Sequence, residues 1–298
     1  MIDLVFDARR KDLGNFEVGR VLPFHAHRMV GPFTFLDHMG PAAFDPGFAK
    51  SADVRPHPHI GLSTLTYLFE GEITHRDSVG SLAVIKPHEV NWMTAGSGIT
   101  HSERFEGLRE RGGRMDGMQA WVALPKEFEE VAPSFTHHEG SADLPYYESG
   151  GLKARLIAGE AFGAKSTVPV FSPLFYVHWE LEPGVTAALP AEYPERAAYI
   201  AAGRVEVDGR ELGEAQMAVF APGETIVFKA LERSTVMLLG GEPVGPRFIE
   251  WNFVSSSKDR IEQAKADWKA GRMKLPDLDH DEFIPLPEGP PPPANPMS

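Results

Sequence analysis

The sequence contains no cysteine, and its 42 acidic residues outnumber its 29 basic ones. The lack of cysteine excludes disulfides, thiolate metal ligands and a cysteine nucleophile. The net charge of −13 disfavours binding to nucleic acid or anionic lipid, because both depend on Lys and Arg. No apolar run approaches the roughly 18 residues of a membrane span, and the N-terminus lacks the apolar segment of a secretory signal. We therefore expect a soluble, cytoplasmic protein that binds neither nucleic acid nor membrane.

Long helical periodicity is also scarce, whereas short runs that alternate apolar and polar residues are frequent. Turn residues separate these runs, which include STLTYLF, SLAVIKP, PLFYVHWELEPG and MAVFAPGETIVF. The pair Asp208-Gly209 is typical of a tight hairpin. Many short strands with regular turns predict an all-β protein built from sandwiches or barrels. A short C-terminal helix is predicted at about residues 256–272, where Ile261, Ala264 and Trp268 recur at helical spacing.

The chain repeats one β-unit at low identity. The stretches that start at Tyr67 and at Tyr199 each read as strand, hairpin, strand, proline turn and strand. The repeat predicts two domains, residues 1–135 and 136–298, with a join near HHEGSADLPYYESGG. The final segment, LPEGPPPPANPMS, has nothing to pack and is expected to be an extended, mobile tail of the second domain.

Two short stretches place metal-binding side chains at strand spacing. RPHPHIG contains His57 and His59, and TAGSGITHSER contains His101 and Glu103. Residues i and i+2 of a strand share a face, so each pair projects together. Three imidazoles and one carboxylate suit a borderline divalent ion such as Fe, Mn, Co, Ni, Cu or Zn. Four protein ligands leave two positions of an octahedral ion open for water, substrate or dioxygen.

The other histidines carry weaker patterns. They are His25, His27, His38, His75, His88, His137, His138, His178 and His280. His25 and His27 repeat the His-x-His spacing, but no partner at strand spacing follows them, so surface or loop positions are the simpler interpretation. His88 and His178, like the remaining isolated ones, are expected to need no function.

In the second copy of the repeat, the positions equivalent to the four candidate ligands are apolar. Aligning Tyr67 with Tyr199 and Pro87 with Pro222 sets Leu189, Ala191, Val236 and Leu238 against His57, His59, His101 and Glu103. The fold itself therefore does not require polar groups at these places. A bound metal is the simplest reason for their presence in the first copy.

The stretch RPHPHIGLSTLTYLFEGEITHRDSVGSLAVIKPHEVNWMTAGSGITHSE resembles the signature region of the pirin family of the cupin superfamily, and GPFTFLDHMGP resembles its N-terminal segment. The resemblance implies a bicupin, with two β-barrels or jelly rolls face to face and one metal in the N-terminal barrel. It implies Fe(II) as the metal and His57, His59, His101 and Glu103 as its ligands. At two positions the chain departs from the family pattern, where Ser63 replaces a frequent glutamate and His88 replaces a frequent glycine.

The resemblance also implies an activity. Some bacterial pirins resemble quercetinases, which open the flavonol ring with dioxygen and release carbon monoxide. In that case Glu103 is both ligand and base, and the substrate is a small aromatic molecule of the flavonol type. Four residues are candidates for the pocket wall, although core packing is the more ordinary role of each: Phe33, Phe35, Trp92 and Met93.

Two alternatives remain open. Animal pirins are described as transcription cofactors and some bacterial members as modulators of enzymes, which implies an iron-dependent, redox-sensing binder of protein partners without catalysis. In the other alternative the metal only clamps the barrel, which would need a closed four-ligand site.

Overall fold

The computed structural model describes residues 1–12, 17–140 and 142–289. Within them the chain forms two β-barrels and a short C-terminal helix, so the predicted all-β bicupin is confirmed. Residues 290–298 of the proline-rich tail, for which an extended and mobile state is predicted, lie outside the described residues.

The strands are numbered in chain order. The first half of the chain contains β1 (Ile2–Asp7), β2 (Arg9–Asp12), β3 (Glu17–Leu22), β4 (Phe33–Phe44), β5 (Val54–His59), β6 (Leu62–Glu70), β7 (Ile73–Asp77), β8 (Leu82–Ile85), β9 (Val90–Thr94), β10 (Ile99–Arg104), β11 (Gly113–Ala123) and β12 (Ser134–His138). The second half contains β13 (Tyr146–Ser149), β14 (Leu152–Ala161), β15 (Ala164–Lys165), β16 (Leu174–Leu181), β17 (Thr186–Leu189), β18 (Glu195–Ala202), β19 (Arg204–Val207), β20 (Arg210–Gly213), β21 (Gln216–Phe220), β22 (Ile226–Ala230), β23 (Ser234–Gly241), β24 (Phe248–Glu250) and β25 (Phe253–Ser255). The helices are α1 (Glu106–Arg111) and α2 (Lys258–Lys269), with single 3-10 turns at Lys50–Ala52 and Lys126–Phe128.

Each barrel consists of a large and a small antiparallel sheet. In the first barrel the orders are β12-β9-β6-β11-β4-β3-β2 and β5-β10-β7-β8. In the second they are β1-β21-β18-β23-β16-β14-β13, with β15 beside β14, and β17-β22-β19-β20. The two strand orders match position by position. Strand β1 begins the chain but pairs with β21 of the second barrel, and the domain boundary near residue 135 stays a prediction.

The matching strand orders correct one alignment made from the sequence. Strand β10, which carries His101, has the position of β22 and not of β23, where Val236 and Leu238 lie. The alignment was wrong by one strand because Pro87 precedes β9 in the first copy whereas Pro222 precedes β22 in the second. The buried residues on the equivalent strands β17 and β22 include Ala187, Leu189, Ile226 and Phe228. The positions of the second barrel that correspond to the candidate ligands are therefore apolar. Apart from Leu189, the residues there differ from those that the sequence alignment gave.

The two barrels share one hydrophobic core. A single cluster of buried side chains includes Leu65 and Trp92 from the first large sheet and Tyr176 and Leu239 from the second. Burial of apolar surface is the main favourable contribution to folding. Each barrel therefore contributes to the stability of the other, and we expect them to unfold in one transition.

The C-terminal segment returns to the first barrel. Phe253 of β25 bridges to Ile60, next to the end of β5. The Ser257 side chain caps α2 by accepting a hydrogen bond from the Arg260 amide, and α2 buries Ile261, Ala264 and Trp268. No helix among the described residues is both long and apolar enough to cross a membrane.

Replacing Leu239 by Ala is expected to lower the free energy of unfolding by about 2–5 kcal/mol, because the side chain is fully buried in the shared cluster. Urea denaturation followed by circular dichroism measures the change. The control is Leu82→Ala, whose side chain is 54% exposed and should change stability by less than about 0.5 kcal/mol. Two separate transitions in the Leu239→Ala protein would show that the barrels do not depend on each other.

Candidate metal centre

The first predicted pair of ligands lies on an edge strand. Strand β5 pairs with β10 on one side and is the last strand of the small sheet on the other. Because proline has no N–H to donate, it is tolerated at a sheet edge, and Pro56 and Pro58 alternate with His57 and His59 along this edge. The prolines thus stiffen the strand that presents the two imidazoles.

Pairing of β5 with β10 brings the third histidine to the first two. His101 lies directly opposite His57, and Ile99 lies opposite His59. Nitrogen atoms of His57, His59 and His101 all lie within 4.8 Å of one another. The ring centroids are 4.3 Å apart for His57 and His101 and 5.1 Å apart for His59 and His101. The structure therefore brings the three predicted histidines together.

Hydrogen bonds orient two of the rings. Nδ1 of His57 lies 2.9 Å from the Arg55 carbonyl oxygen, and Nδ1 of His59 lies 3.0 Å from the Asn252 carbonyl oxygen. A carbonyl accepts, so each Nδ1 carries the proton and each Nε2 keeps its lone pair, the arrangement common among metal-bound histidines. Asn252 follows β24, so the second half of the chain orients a histidine of the first barrel.

His101 supplies the test of whether the site suits a metal. The residue is 1% exposed, and within the described part of the chain neither ring nitrogen has a hydrogen-bond partner. A buried polar atom without a partner is costly, by about 1–3 kcal/mol. A divalent ion among three imidazoles would give one nitrogen atom of His101 a partner for its lone pair, so the residues fit such an ion.

The protonation states agree with this fit. Burial lowers the pKa of His57 to about 4. Burial also lowers the pKa of His59 and of His101 well below the usual value, with a smaller contribution from the neighbouring rings. All three rings are therefore neutral at neutral pH, which is the form that binds metal.

Glu103 lies in the same cavity but outside the group of mutually close nitrogen atoms. Strand β5 has a bulge opposite this part of β10, because Glu103 pairs with Val54 rather than with Arg55. Its Oε1 atom accepts from the Thr66 hydroxyl at 3.4 Å. Burial raises the pKa of Glu103 to about 7. Its role as fourth ligand stays a prediction.

The three histidines line a cavity of about 190 Å³. Its wall includes Phe35 and Trp121, whose rings stack with centroids 4.2 Å apart. The Arg20 guanidinium binds the Asp37 carboxylate through two hydrogen bonds of 2.9 and 2.8 Å on the same wall. Among the described residues the cavity thus offers a flat aromatic surface, one ion pair and the carboxylate of Glu103.

One of the four predicted wall residues, Phe35, lines this cavity. Phe33 and Trp92 instead belong to the core shared by the barrels, and Met93 packs in a smaller cluster beside it. Trp121 was missed. It belongs to β11, and no motif distinguishes its inward-facing position from that of other core residues.

A C-terminal segment, residues 274–286, borders the cavity and was not foreseen from the sequence; we call it the closing segment. Arg104 of β10 donates to both carboxylate oxygens of Asp279, at 2.7 and 2.8 Å, and also contacts Glu282. The Ile284 amide donates to the Pro56 carbonyl oxygen of β5, and the Ile284 side chain lines the cavity. The closing segment is therefore held against β5 and β10 and contributes Ile284 to the cavity wall.

The histidines predicted to be isolated are not all isolated in space. His75 bonds Asp77 beside the centre, whereas His25 and His27 lie in neither group of close ligand atoms. His88 and His178, which are isolated in the sequence and predicted to need no function, approach each other and Glu180 across the two barrels. Ser63, which departs from the family pattern, bonds Thr94 in the interior.

Two barrels of matching strand order, with a buried three-histidine site in the first of them, define this protein as a bicupin. The sequence matches the model of the pirin family at residues 15–122 and that of the pirin C-terminal cupin domain at residues 176–274. The chain belongs to the pirin family.

Three similar proteins refine the comparison. A pirin-like protein of Caulobacter vibrioides is 95% identical over 97% of this chain and all of its own length. A Pseudomonas aeruginosa protein, named provisionally as a quercetin 2,3-dioxygenase, is 38% identical over 89% of this chain and 83% of its own. The crystal structure of quercetin 2,3-dioxygenase from Acinetobacter baumannii superposes with a TM-score of 0.90 at 33% identity, over 99% of this chain and 98% of that one.

Proposed function

We propose that this chain is a metal-dependent dioxygenase that opens the ring of flavonols such as quercetin. The metal is Fe(II), held by His57, His59 and His101 with Glu103 as fourth ligand. The observation that carries the proposal is the convergence of three neutral, buried imidazoles in a cavity that is also lined by aromatic rings and a carboxylate. The names of the Pseudomonas and Acinetobacter relatives support the same activity.

Each group in the cavity has a role in this reaction. A bound divalent ion supplies Lewis acidity for an oxyanion of the substrate. The Glu103 carboxylate accepts the proton of the flavonol 3-hydroxyl, and the stacked rings of Phe35 and Trp121 hold the flat substrate. The Arg20–Asp37 pair can hydrogen-bond the phenolic hydroxyls. Both atoms of dioxygen enter the ring-opened product, and one ring carbon leaves as carbon monoxide.

The size of the cavity limits how the substrate binds. A volume of about 190 Å³ is below the roughly 300–1,000 Å³ of pockets that hold drug-sized ligands. The reacting ring of a flavonol therefore enters first, and the rest of the molecule takes the place of Ile284. We expect the closing segment to move when substrate binds.

The test is loss of quercetin under air by protein reconstituted anaerobically with Fe(II). We expect multiple turnovers, followed by the visible absorbance of quercetin, together with one carbon monoxide per quercetin in the headspace. Metal-free protein is the control. One bound iron per chain without turnover would overturn the proposal.

A redox-sensing binder of protein partners is the second candidate, and the small volume of the cavity favours it. Such a protein needs iron but no space for a substrate, and the closing segment would report the state of the iron to the surface. Partner binding that changes between the ferrous and ferric forms, in protein that fails to consume quercetin, would select this function.

A further inference from the structure

A second group of ligand atoms lies in a groove between the two barrels. His88 belongs to the turn before β9 of the first barrel, and His178 and Glu180 belong to β16 of the second. One ligand atom of each lies within 4.8 Å of the others, at a cavity of about 210 Å³ that Asp116 also lines. The group is separate from the residues that line the centre in the first barrel.

His178 points an unpaired nitrogen atom into this groove. The residue is 4% exposed, and its Nδ1 lies 2.9 Å from the Tyr67 hydroxyl. Its Nε2 has no hydrogen-bond partner among the residues that the structure describes. Burial, with smaller contributions from His88 and Arg155, lowers the pKa of His178 to about 3. The ring is thus neutral at neutral pH, and a hydrogen bond already fixes its orientation.

The repeat provides a counterpart of His178 in which both ring nitrogen atoms have hydrogen-bond partners. His38 of the first barrel bonds the Tyr199 hydroxyl of the second at 2.9 Å, as His178 bonds Tyr67. The other nitrogen atom of His38, however, lies 2.7 Å from Asp116. The comparison shows that a buried cross-barrel histidine of this fold can be satisfied on both sides, and that His178 is not.

The pairing of the strands shows which residue of the second barrel occupies the position of Asp116. Met118 of β11 lies opposite His38 and Tyr67, and Met237 of β23 lies opposite His178 and Tyr199. Two residues before each methionine stand Asp116 and Thr235. A threonine thus stands where the aspartate binds His38, and the nitrogen atom of His178 is left to another partner.

His88 stands in a backbone conformation that favours glycine. Its φ is 67°, and its amide donates to Leu68. The equivalent residue of the second barrel is Ala215, with φ 65° and an amide that donates to Ile200. Side chains are disfavoured in this region, yet the first barrel places an imidazole here, directed toward His178 with ring centroids 5.8 Å apart.

Charges of both signs face the groove. Glu180 and Asp116 favour a cation, whereas Arg155 and Lys153 oppose one through their effect on His88. The Arg155 guanidinium is engaged by the Gly140 carbonyl oxygen and the Tyr146 ring. Arg233 lies 3.8 Å from Glu180 but is 67% exposed, so water screens it.

We propose that His88, His178 and Glu180 bind a divalent ion of the zinc type between the barrels. Two imidazoles and one carboxylate are a donor set that zinc uses, with a fourth position left open. The ion gives Nε2 of His178 its missing partner and links the first barrel to the second. The site takes the metal alone and does not depend on flavonol chemistry.

Zinc titration of the chelator-stripped full chain by calorimetry tests the site. We expect two zinc ions per chain for the wild type and one for His88→Gly, a substitution that removes a ligand and relaxes the backbone. Ala215→Gly, with the same backbone change in the other barrel, should still bind two. A His101→Gln protein should keep one ion, which the double variant with His88→Gly loses. Equal stoichiometry and affinity of His88→Gly and the wild type would overturn the proposal, as would a single zinc ion in the wild type that His101→Gln loses.

A second pair of variants tests the orienting hydrogen bond without touching a ligand. Tyr67→Phe should weaken the zinc ion between the barrels by about 10–100-fold, the usual loss when a partner of a metal-bound histidine is removed. Tyr199→Phe removes the matching hydrogen bond to His38 and should leave both affinities unchanged. Equal effects of the two substitutions would mean that zinc does not bind His178.

Discussion

Replacing His101 by Gln is expected to lower the iron affinity of the first barrel by more than about 100-fold and to reduce quercetin turnover to the background. Removal of a mere partner of a metal-bound histidine costs 10–100-fold, and His101 is itself a proposed ligand. The side chain makes no hydrogen bond within the described residues, so folding should be unaffected. Metal analysis after anaerobic reconstitution measures the loss, and circular dichroism checks the fold.

Each protein in this measurement also carries His88→Gly, so that a metal ion bound between the barrels does not add to the measured iron content. The control is His137→Gln, because His137 bonds Asn91 away from the cavity. Iron retained at the wild-type level by His101→Gln would mean that the three-histidine group is not the metal centre.

Replacing Glu103 by Gln is expected to lower kcat for quercetin by about 10²–10⁴-fold, the usual contribution of a general base. The amide keeps the shape and the contact with Thr66 but cannot accept the substrate proton. Iron content should fall less than in His101→Gln, because the three histidines remain. Single-turnover kinetics under air, with iron measured in the same samples, separate the two effects.

The companion variant Glu103→Asp keeps a carboxylate that is one methylene shorter, and it should recover part of the lost rate. Glu72→Gln, at the surface beside Arg111, is the neutral control. Full turnover by Glu103→Gln would contradict the role of Glu103 as base and would leave the flavonol activity itself intact.

The sequence predicted the parts of the site that depend on local spacing. His57 and His59 share a face because strand residues alternate, and the prolines between and before them agree with the edge position of β5. The same rule set His101 and Glu103 on one face of β10, and both line the cavity. It could not show that Glu103 lies outside the group of close nitrogen atoms, because that depends on how β10 pairs with β5 across a bulge.

Rules of strand spacing cannot predict contacts between distant parts of the chain. The pair His88 and His178 meets only through the packing of two barrels, and no local pattern connects a turn with a strand 90 residues away. The closing segment is likewise held by Arg104, whose partner Asp279 lies 175 residues later. The alignment of Pro87 with Pro222 failed because similar turns occupy different places in the two strand orders.

The hydrogen bond from His59 to the Asn252 carbonyl has a consequence for biosynthesis. The two residues are 193 positions apart, and Ile284, which lines the cavity, is made later still. N-terminal domains generally fold first as a chain leaves the ribosome. Here, however, the shared core and the contact of His59 with Asn252 require the second barrel, so the three histidines reach their final arrangement only late in translation.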